Sequence, residues 1–541
     1  MIDRLQMMSR KLPEGGGGAG NWRAPSGWQT ETPDAGDQAG DRAGDRDADR
    51  DADRPRPERR RREGGSRRHA PPARAASRGP FALSSENVRL AVFALLFTSI
   101  AFFGGSARAD VNWLLPLRPI CLFAIAVLVV LPLRERAHAM TVPAVLLAAL
   151  ALSIAVQLVP LPPEIWTSLP GRARFAEAAV VAGLDQPWRP VSLVPWLTWN
   201  SLFALLPALA VMTALWGIGP RHRDRVILGF LAFLGVSILL GIAQVAGALN
   251  GPPLHYRFFA QDSAIGFFAN RNHAAAVLAT GFPVLRLWSL TAPLGRAGAR
   301  RRIFALVAAL VLLVMIVVTG SRTGMLVGFA AFAASLAMAP LDELGAKLDP
   351  RKAWMVRVGV VAVPLLVVVL LVLFGKAVAL DRIVDDDLLA EQRVMYLPLL
   401  LDLMRGFLPF GSGFGTFDPV YRSFEPDWAI TTKYLNHAHN DLLELLMTGG
   451  VFALAVLAAF IVWIAVRLWK TRSDARAAEA ISVRAGAIMA AALLGASLTD
   501  YPLRTPIAGA VLVLACWLIA RPLYDMRTAA RTRSPRSGGR R

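Results

Sequence analysis

The stretch IFALVAALVLLVMIVVTGSRTGMLVGFAAFAASLAMAP, residues 303–340, decides the class of fold. It holds two apolar runs, 303–319 and 322–340, separated only by Gly320 and Ser321. Each run is long enough to cross a hydrocarbon core of ~30 Å as a helix. Two such runs joined by so tight a turn read as an antiparallel pair of membrane spans. The one charged residue of the pair, Arg322, opens the second run and so falls at the membrane boundary.

Similar runs recur along the chain. About twelve spans are expected, at 88–104, 113–133, 141–159, 196–217, 225–247, 272–292, 303–319, 322–340, 356–374, 442–468, 482–499 and 506–520. Over 541 residues the composition agrees: 55% is hydrophobic and 18% charged, against about 45–50% and 25% in soluble domains. This excludes a soluble enzyme, a disulfide-stapled secreted module and a simple nucleic-acid-binding domain. The expected fold class is an all-α polytopic membrane protein.

The net charge of +20 would suggest nucleic acid in a soluble chain. In a membrane protein it reflects the enrichment of cytoplasmic loops in Arg and Lys, so no nucleic-acid partner is expected. With the N-terminus inside, the even-numbered spans lead into cytoplasmic loops. These carry Arg134 and Arg136, Arg221 to Arg225, Arg296 to Arg302, Lys347 to Lys352, and Lys470 to Arg476. Adding or removing a single span would put half of these clusters outside. Trp113, Trp196, Trp216, Trp288 and Trp469 fall near span ends, as in an interfacial belt. Cys121 and Cys516 each lie in an apolar run and read as packing residues.

The organisation follows from these spans. Residues 1–85 include the tract DQAGDRAGDRDADRDADR and form a low-complexity cytoplasmic tail, too polar to offset its ordering entropy. Residues 86–374 hold the first nine spans, 375–441 a large external loop, 442–520 the last three spans, and 521–541 a basic cytoplasmic tail. A loop as long as 375–441 is more than a connector. It carries the amphipathic stretch RVMYLPLLLDLMRGF, a glycine cluster (FGSGFGTF) and two histidines.

Candidate chemistry gathers on the outer face. Arg322 reads either as an arginine that snorkels to the headgroups or, since Gly320 and Gly324 let backbones approach closely, as a buried arginine facing an anion. FFANRNHAAAVLA puts Asn270, Arg271, Asn272 and His273 at the start of span six, and DYPLRTP puts Asp500 and Arg504 between the last two spans. In NHAHNDLLELL, His437, His439, Asn440 and Asp441 stand where the large loop enters span ten. HxHxD invites a metal, but residue 442 is Leu and no fourth partner is evident. No metal site or cofactor is expected, and an imidazole as proton carrier or hydroxyl partner fits better. The glycine cluster reads as a tight loop or as backbone N–H groups turned toward an anion. Arginines on the face that the charge rule leaves poor in them suit an anionic ligand, and a diphosphate matches their forked geometry.

These residues resemble the O-antigen ligase/O-antigen polymerase family of bacterial envelope glycosyltransferases. The likeness rests on the layout of spans, FFANRNHAA, the SRTG turn and HNDLLELLMTGGVFAL. It implies a GT-C-like membrane fold in the bacterial inner membrane and a metal-independent inverting transfer on the periplasmic side. The implied donor is a glycan on undecaprenyl diphosphate, and the acceptor is lipid A–core or a polysaccharide. Carried over motif by motif, the catalytic residues are Arg322, Arg393 and His439. Asn270, Arg271, Asn272, Asn440 and Arg504 are candidates for lining the substrate cleft. Membrane lipids are the remaining partners. The long N-terminal tail is not a family feature. The alternative is an exporter of an anionic lipid-linked precursor, which should show polar mid-span residues and repeated spans; the sequence shows little of either.

Overall fold

The computed structural model describes residues 84–108, 111–132, 140–219, 222–249, 263–338, 395–430, 435–472 and 478–520, with single positions between them. The ninth expected span, Glu391 and Arg393, and most of both tails lie outside the described residues. Helices stand at the other eleven expected spans. They are α1 (Ser85–Phe103), α2 (Leu114–Val130), α3 (Thr141–Val156), then two short helices of a connecting loop, α4 (Pro163–Trp166) and α5 (Ala173–Val181). The fourth span is divided between α6 (Pro195–Phe203) and α7 (Leu206–Trp216), and α8 covers Arg223–Val245. The sixth is divided between α9 (Arg271–Ala279) and α10 (Gly281–Leu290), followed by α11 (Arg296–Val318) and α12 (Arg322–Leu336). In the large loop, α13 (395–407) and α14 (Phe417–Phe424) precede α15 (Asp441–Lys470), α16 (Ala478–Ala496) and α17 (Pro506–Ala520).

Among the described residues, six helical stretches are long and apolar enough to cross a membrane, and four shorter apolar helices accompany them. The protein is thus an almost wholly helical, polytopic membrane protein. The one described sheet is a two-residue antiparallel ladder that pairs Pro160 with Pro190 and Leu161 with Arg189.

Lipid tails are as apolar as leucine, so helices in a bilayer associate through close packing of small residues. The chain follows this rule. α16 and α17 are rich in Ala and pack on each other, and a Cβ at Gly486 would meet Ala515 O and Ile519. α12 lies against α9, where Gly324 leaves no room for a side chain beside Ala275. The main core joins α1, α2, α7, α8, α9, α10, α11, α12, α16 and α17.

The large loop has a separate small core of Tyr396, Leu400, Leu403, Phe407, Phe417, Val420 and Tyr421, closed by Ala438 and Met447. It is fastened to α15 at a kink. Gly450 takes φ 66° and ψ −160° inside that helix, which frees the carbonyls of the preceding turn. The glycine cluster fills them: Ser412 N–H donates to Met447 O (2.9 Å) and Gly413 N–H to Thr448 O (3.0 Å), while Val451 N–H returns to Pro409 O (2.9 Å). Gln157 locks the junction by donating to Phe410 O and Thr448 O and accepting from Phe414 N–H. Gly411 N–H is taken by Phe407 O. The N–H groups of residues 411–414 therefore bind the protein itself, and the anion-facing reading of FGSGFGTF is corrected to a structural one.

Candidate active site

Three of the sequence motifs begin helices, and each supplies its own N-cap. Asn270 Oδ1 accepts from Asn272 N–H (2.8 Å) at α9. Ser321 Oγ accepts from Gly324 N–H (2.9 Å) at α12. Asn440 Oδ1 accepts from Leu442 and Leu443 N–H (3.0 and 3.1 Å) at α15. A short polar side chain in the extended conformation satisfies N–H groups that have no partner in the first turn. All three N-termini are tied to the loop between α16 and α17. Asn270 and Asn272 donate to Asp500 Oδ2, Thr499 donates to Thr323, and Asp441 N–H donates to Ser497 O. Their positive dipole ends thus gather where an anion is favoured.

At this meeting point two imidazoles are held by two buried carboxylates. Asp500 is 1% exposed. Its Oδ1 accepts from Tyr501 N–H (3.0 Å) and lies 3.3 Å from His439 Nδ1. Its Oδ2 accepts from Asn272 Nδ2 (2.6 Å) and Asn270 Nδ2 (3.4 Å). Burial alone would raise the Asp500 carboxyl, but the imidazoles of His273 and His439 beside it hold it well below the usual range. His273 Nε2 is 3.8 Å from Oδ1, beyond hydrogen-bond reach, and the ring is buried. Glu444, also 1% exposed, accepts from His437 Nδ1 (3.0 Å), Ala438 N–H (3.0 Å) and Arg504 Nη1 (3.0 Å). Arg504 Nε completes the network on Asp441 Oδ1 at 2.8 Å.

Tyr501 stands among the imidazoles, its ring centroid 4.3 Å from His437, 4.9 Å from His273 and 5.1 Å from His439. Burial first, and then the Asp500 charge, push its phenol up to about 12. It is a neutral spacer rather than a base. His439 takes φ 49°, a left-handed conformation that bulky residues adopt at a cost and that recurs at functional sites. Its side chain remains 22% exposed and that of His437 16%, so both rings reach out from the carboxylates that hold them.

The sequence-predicted residues fall into four placements. His439, Asn270, Asn272, Asn440 and Arg504 come together around Asp500 and Glu444. Arg271 opens α9 beside the SRTG turn, with its Nη1 3.9 Å from where a Cβ would stand on Gly320. Arg322 starts α12 and is exposed rather than buried. The correction has a steric cause: Gly324 is the residue that α12 presses against α9, so Arg322, two positions earlier, stays on the open side. Arg393 lies outside the described residues. Sequence reading missed Glu444, and it located Asp500 without giving it a role. An acid in the first turn of an apolar span is a functional flag by default, and Glu444 carried that signal. Tyr501 had none.

Beside the cluster lies a cavity of about 1270 Å³. Its walls are the apolar faces of α2, α3, α6, α7, α15 and α17, and its polar edge includes Arg108, Arg118, Asn200, His437, Asp441 and Arg504. Arg118 donates to Asn200 and sits over the Phe203 ring. Neither His439 nor Arg322 lines this space. The cavity thus reaches the cluster on the side of His437, Asp441 and Arg504.

The family model described as O-antigen ligase matches residues 307–458. The match takes in α12, the large loop and the start of α15 with both histidines and Glu444, and stops short of Asp500. No curated protein matches the chain. The segment that bears the SRTG turn and the two imidazoles is thus similar to the O-antigen ligase family, in agreement with the resemblance carried by the sequence motifs.

Proposed function

We propose that the protein transfers a glycan from undecaprenyl diphosphate to an acceptor hydroxyl on the periplasmic face of the bacterial inner membrane, with a GT-C-like architecture. The observation that carries this reading is the His439–Asp500 pair at the meeting of three helix N-termini. A carboxylate can only accept, so in the neutral ring Nδ1 bears the hydrogen and Nε2 presents its lone pair. That is the state a general base needs.

His439 Nε2 takes the proton of the acceptor hydroxyl as its oxygen attacks C1 of the sugar. The new C1–O bond forms on one face while the bond to the diphosphate oxygen breaks on the other, which inverts the anomeric centre. The electron pair leaves with undecaprenyl diphosphate. Charge grows on that leaving group in the transition state, where fixed donors are worth most. Arg322 and Arg393 hold the diphosphate without a metal, aided by Arg271 and the N-termini of α9 and α12. Asn270 and Asn272 fix Asp500, Asn440 caps the helix that carries the histidine loop, and Arg504 neutralises Asp441 and Glu444.

The test is the surface polysaccharide of a deletion strain. Free polymer retained without attachment to lipid A–core identifies a ligase. Chains of a single repeat identify a polymerase. An unchanged polysaccharide profile refutes the reading.

A further inference from the structure

Proton removal occupies one imidazole, His439. Two residues earlier stands a second of the same construction. His437 gives its Nδ1 to Glu444, whose other donors are the Ala438 N–H and the Arg504 guanidinium. Three donors converge on that carboxylate, so it is acceptor-only, and the neutral His437 ring carries its hydrogen on Nδ1 and a lone pair on Nε2. Nε2 makes no hydrogen bond among the described residues. The ring is fixed against Tyr501 at 4.3 Å.

The two rings serve different spaces. Ala438 between them is buried in the core of the large loop, and the left-handed turn at His439 sends the second ring toward Asp500. His437 faces the cavity instead, beside Asn436, Asp441 and Arg504 on its polar edge. It is held by one nitrogen and offers the other to a space able to receive a ligand.

We propose that His437 is a substrate-positioning residue: its Nε2, aimed by Glu444, accepts a hydrogen bond from a hydroxyl of the glycan acceptor at the mouth of the cavity. The inference rests on the transferase reading and adds to it the group that orients the acceptor, separate from the one that deprotonates it.

Two isosteres distinguish the two nitrogens. The amide of Asn reaches the position of Nδ1 and can keep the bond to Glu444, whereas that of Gln reaches the position of Nε2. Purified full-length protein in nanodiscs is given two acceptor probes, lipid A–core and a single repeat unit on undecaprenyl diphosphate. Acceptor Kd is measured without donor, and KM and kcat with saturating donor. His437→Asn should raise acceptor KM and Kd roughly tenfold, the loss of one hydrogen bond. Its kcat, donor KM and thermal midpoint should stay near wild type, the pattern of lost uniform binding. His437→Gln should recover most of the acceptor affinity.

Wild-type acceptor affinity in His437→Asn overturns the proposal. So does a fall in kcat at unchanged KM, which would make His437 a proton acceptor, and so does a loss that tracks the thermal midpoint in both variants. Binding of neither probe by the wild type also overturns it. A wild type that binds a probe but transfers nothing refutes the transferase reading instead, and the Kd comparison then still decides the role of His437.

Discussion

Asp500→Asn is the sharpest perturbation of the site, because it changes one atom and leaves no orientation of the new amide that satisfies its neighbours. Asp500 Oδ1 receives Tyr501 N–H at 3.0 Å and faces His439 Nδ1 at 3.3 Å, while Oδ2 receives Asn272 and Asn270 Nδ2 at 2.6 and 3.4 Å. With the new NH2 toward the asparagines, donor meets donor on that side. With it turned the other way, it meets Tyr501 N–H and His439 Nδ1–H. His439 can relieve the second clash only by moving its hydrogen to Nε2, which removes the lone pair that accepts the acceptor proton. One unpaired buried donor costs about 1–3 kcal/mol of stability. Loss of a positioned base costs about 10²–10⁴ in rate. Transfer measured with purified protein should therefore fall by about a hundredfold or more, at a thermal midpoint only modestly lowered. An Asp500→Asn protein that keeps a third of wild-type transfer would show that His439 does not work through Asp500, and the proposed base would be lost with it.

Three further outcomes test other links. A reporter fused near Trp428 should be periplasmic and one near Arg472 cytoplasmic; both on one side would refute the topology and the site built on it. Gly450→Ala puts a Cβ 2.8 Å from Phe410 C at a φ of 66°. That backbone region is essentially restricted to glycine and costs another residue about 1–3 kcal/mol, so the large loop should detach from α15 and protease should cut between residues 408 and 416 first; a wild-type digestion pattern would refute the docking. Arg322→Lys keeps the charge but loses the fork, so it should be nearly as harmful to transfer as Arg322→Ala, by about a hundredfold. A silent Arg322→Lys beside a silent Arg302→Lys control would make Arg322 a membrane anchor.

What the sequence made legible is local, and what it hid is distant in the chain. Spans could be read because a run of apolar residues is its own evidence, and the helix starts at Asn270, Ser321 and Asn440 could be read because a cap acts within three residues. The partners of the histidines could not. His439 and Asp500 are separated by 61 residues, and Asn272 and Asp500 by 228, and no periodicity joins them. The glycine cluster offers two readings of equal local merit, and only the kink at Gly450, 35 residues beyond Gly415, decides between them. Arg322 was misjudged for a related reason: flanking glycines signal close approach of some face, and which face depends on where α9 lies.

The distribution of charge shows how these pieces can serve one reaction. Asp441, Glu444 and Asp500 bring three acids to a place proposed to receive a diphosphate, and uncompensated they would repel it. Their charge is met inside the protein. Arg504 spans Asp441 and Glu444 at 2.8 and 3.0 Å, and Asp500 lies among two side-chain amides, a backbone N–H and the positive end of α9. Charge-assisted bonds of this kind are strong and directional, so the acids act as rigid mounts for imidazoles rather than as a negative field. Each imidazole is therefore held in a fixed direction, His437 at the cavity and His439 outside its lining, while Arg322 is exposed at the start of α12. A base and a hydroxyl guide are needed on the acceptor, and positive charge on the leaving group. In the proposed transfer, the neutral Tyr501 ring packed against both imidazoles keeps the base and the hydroxyl guide as two separately held groups.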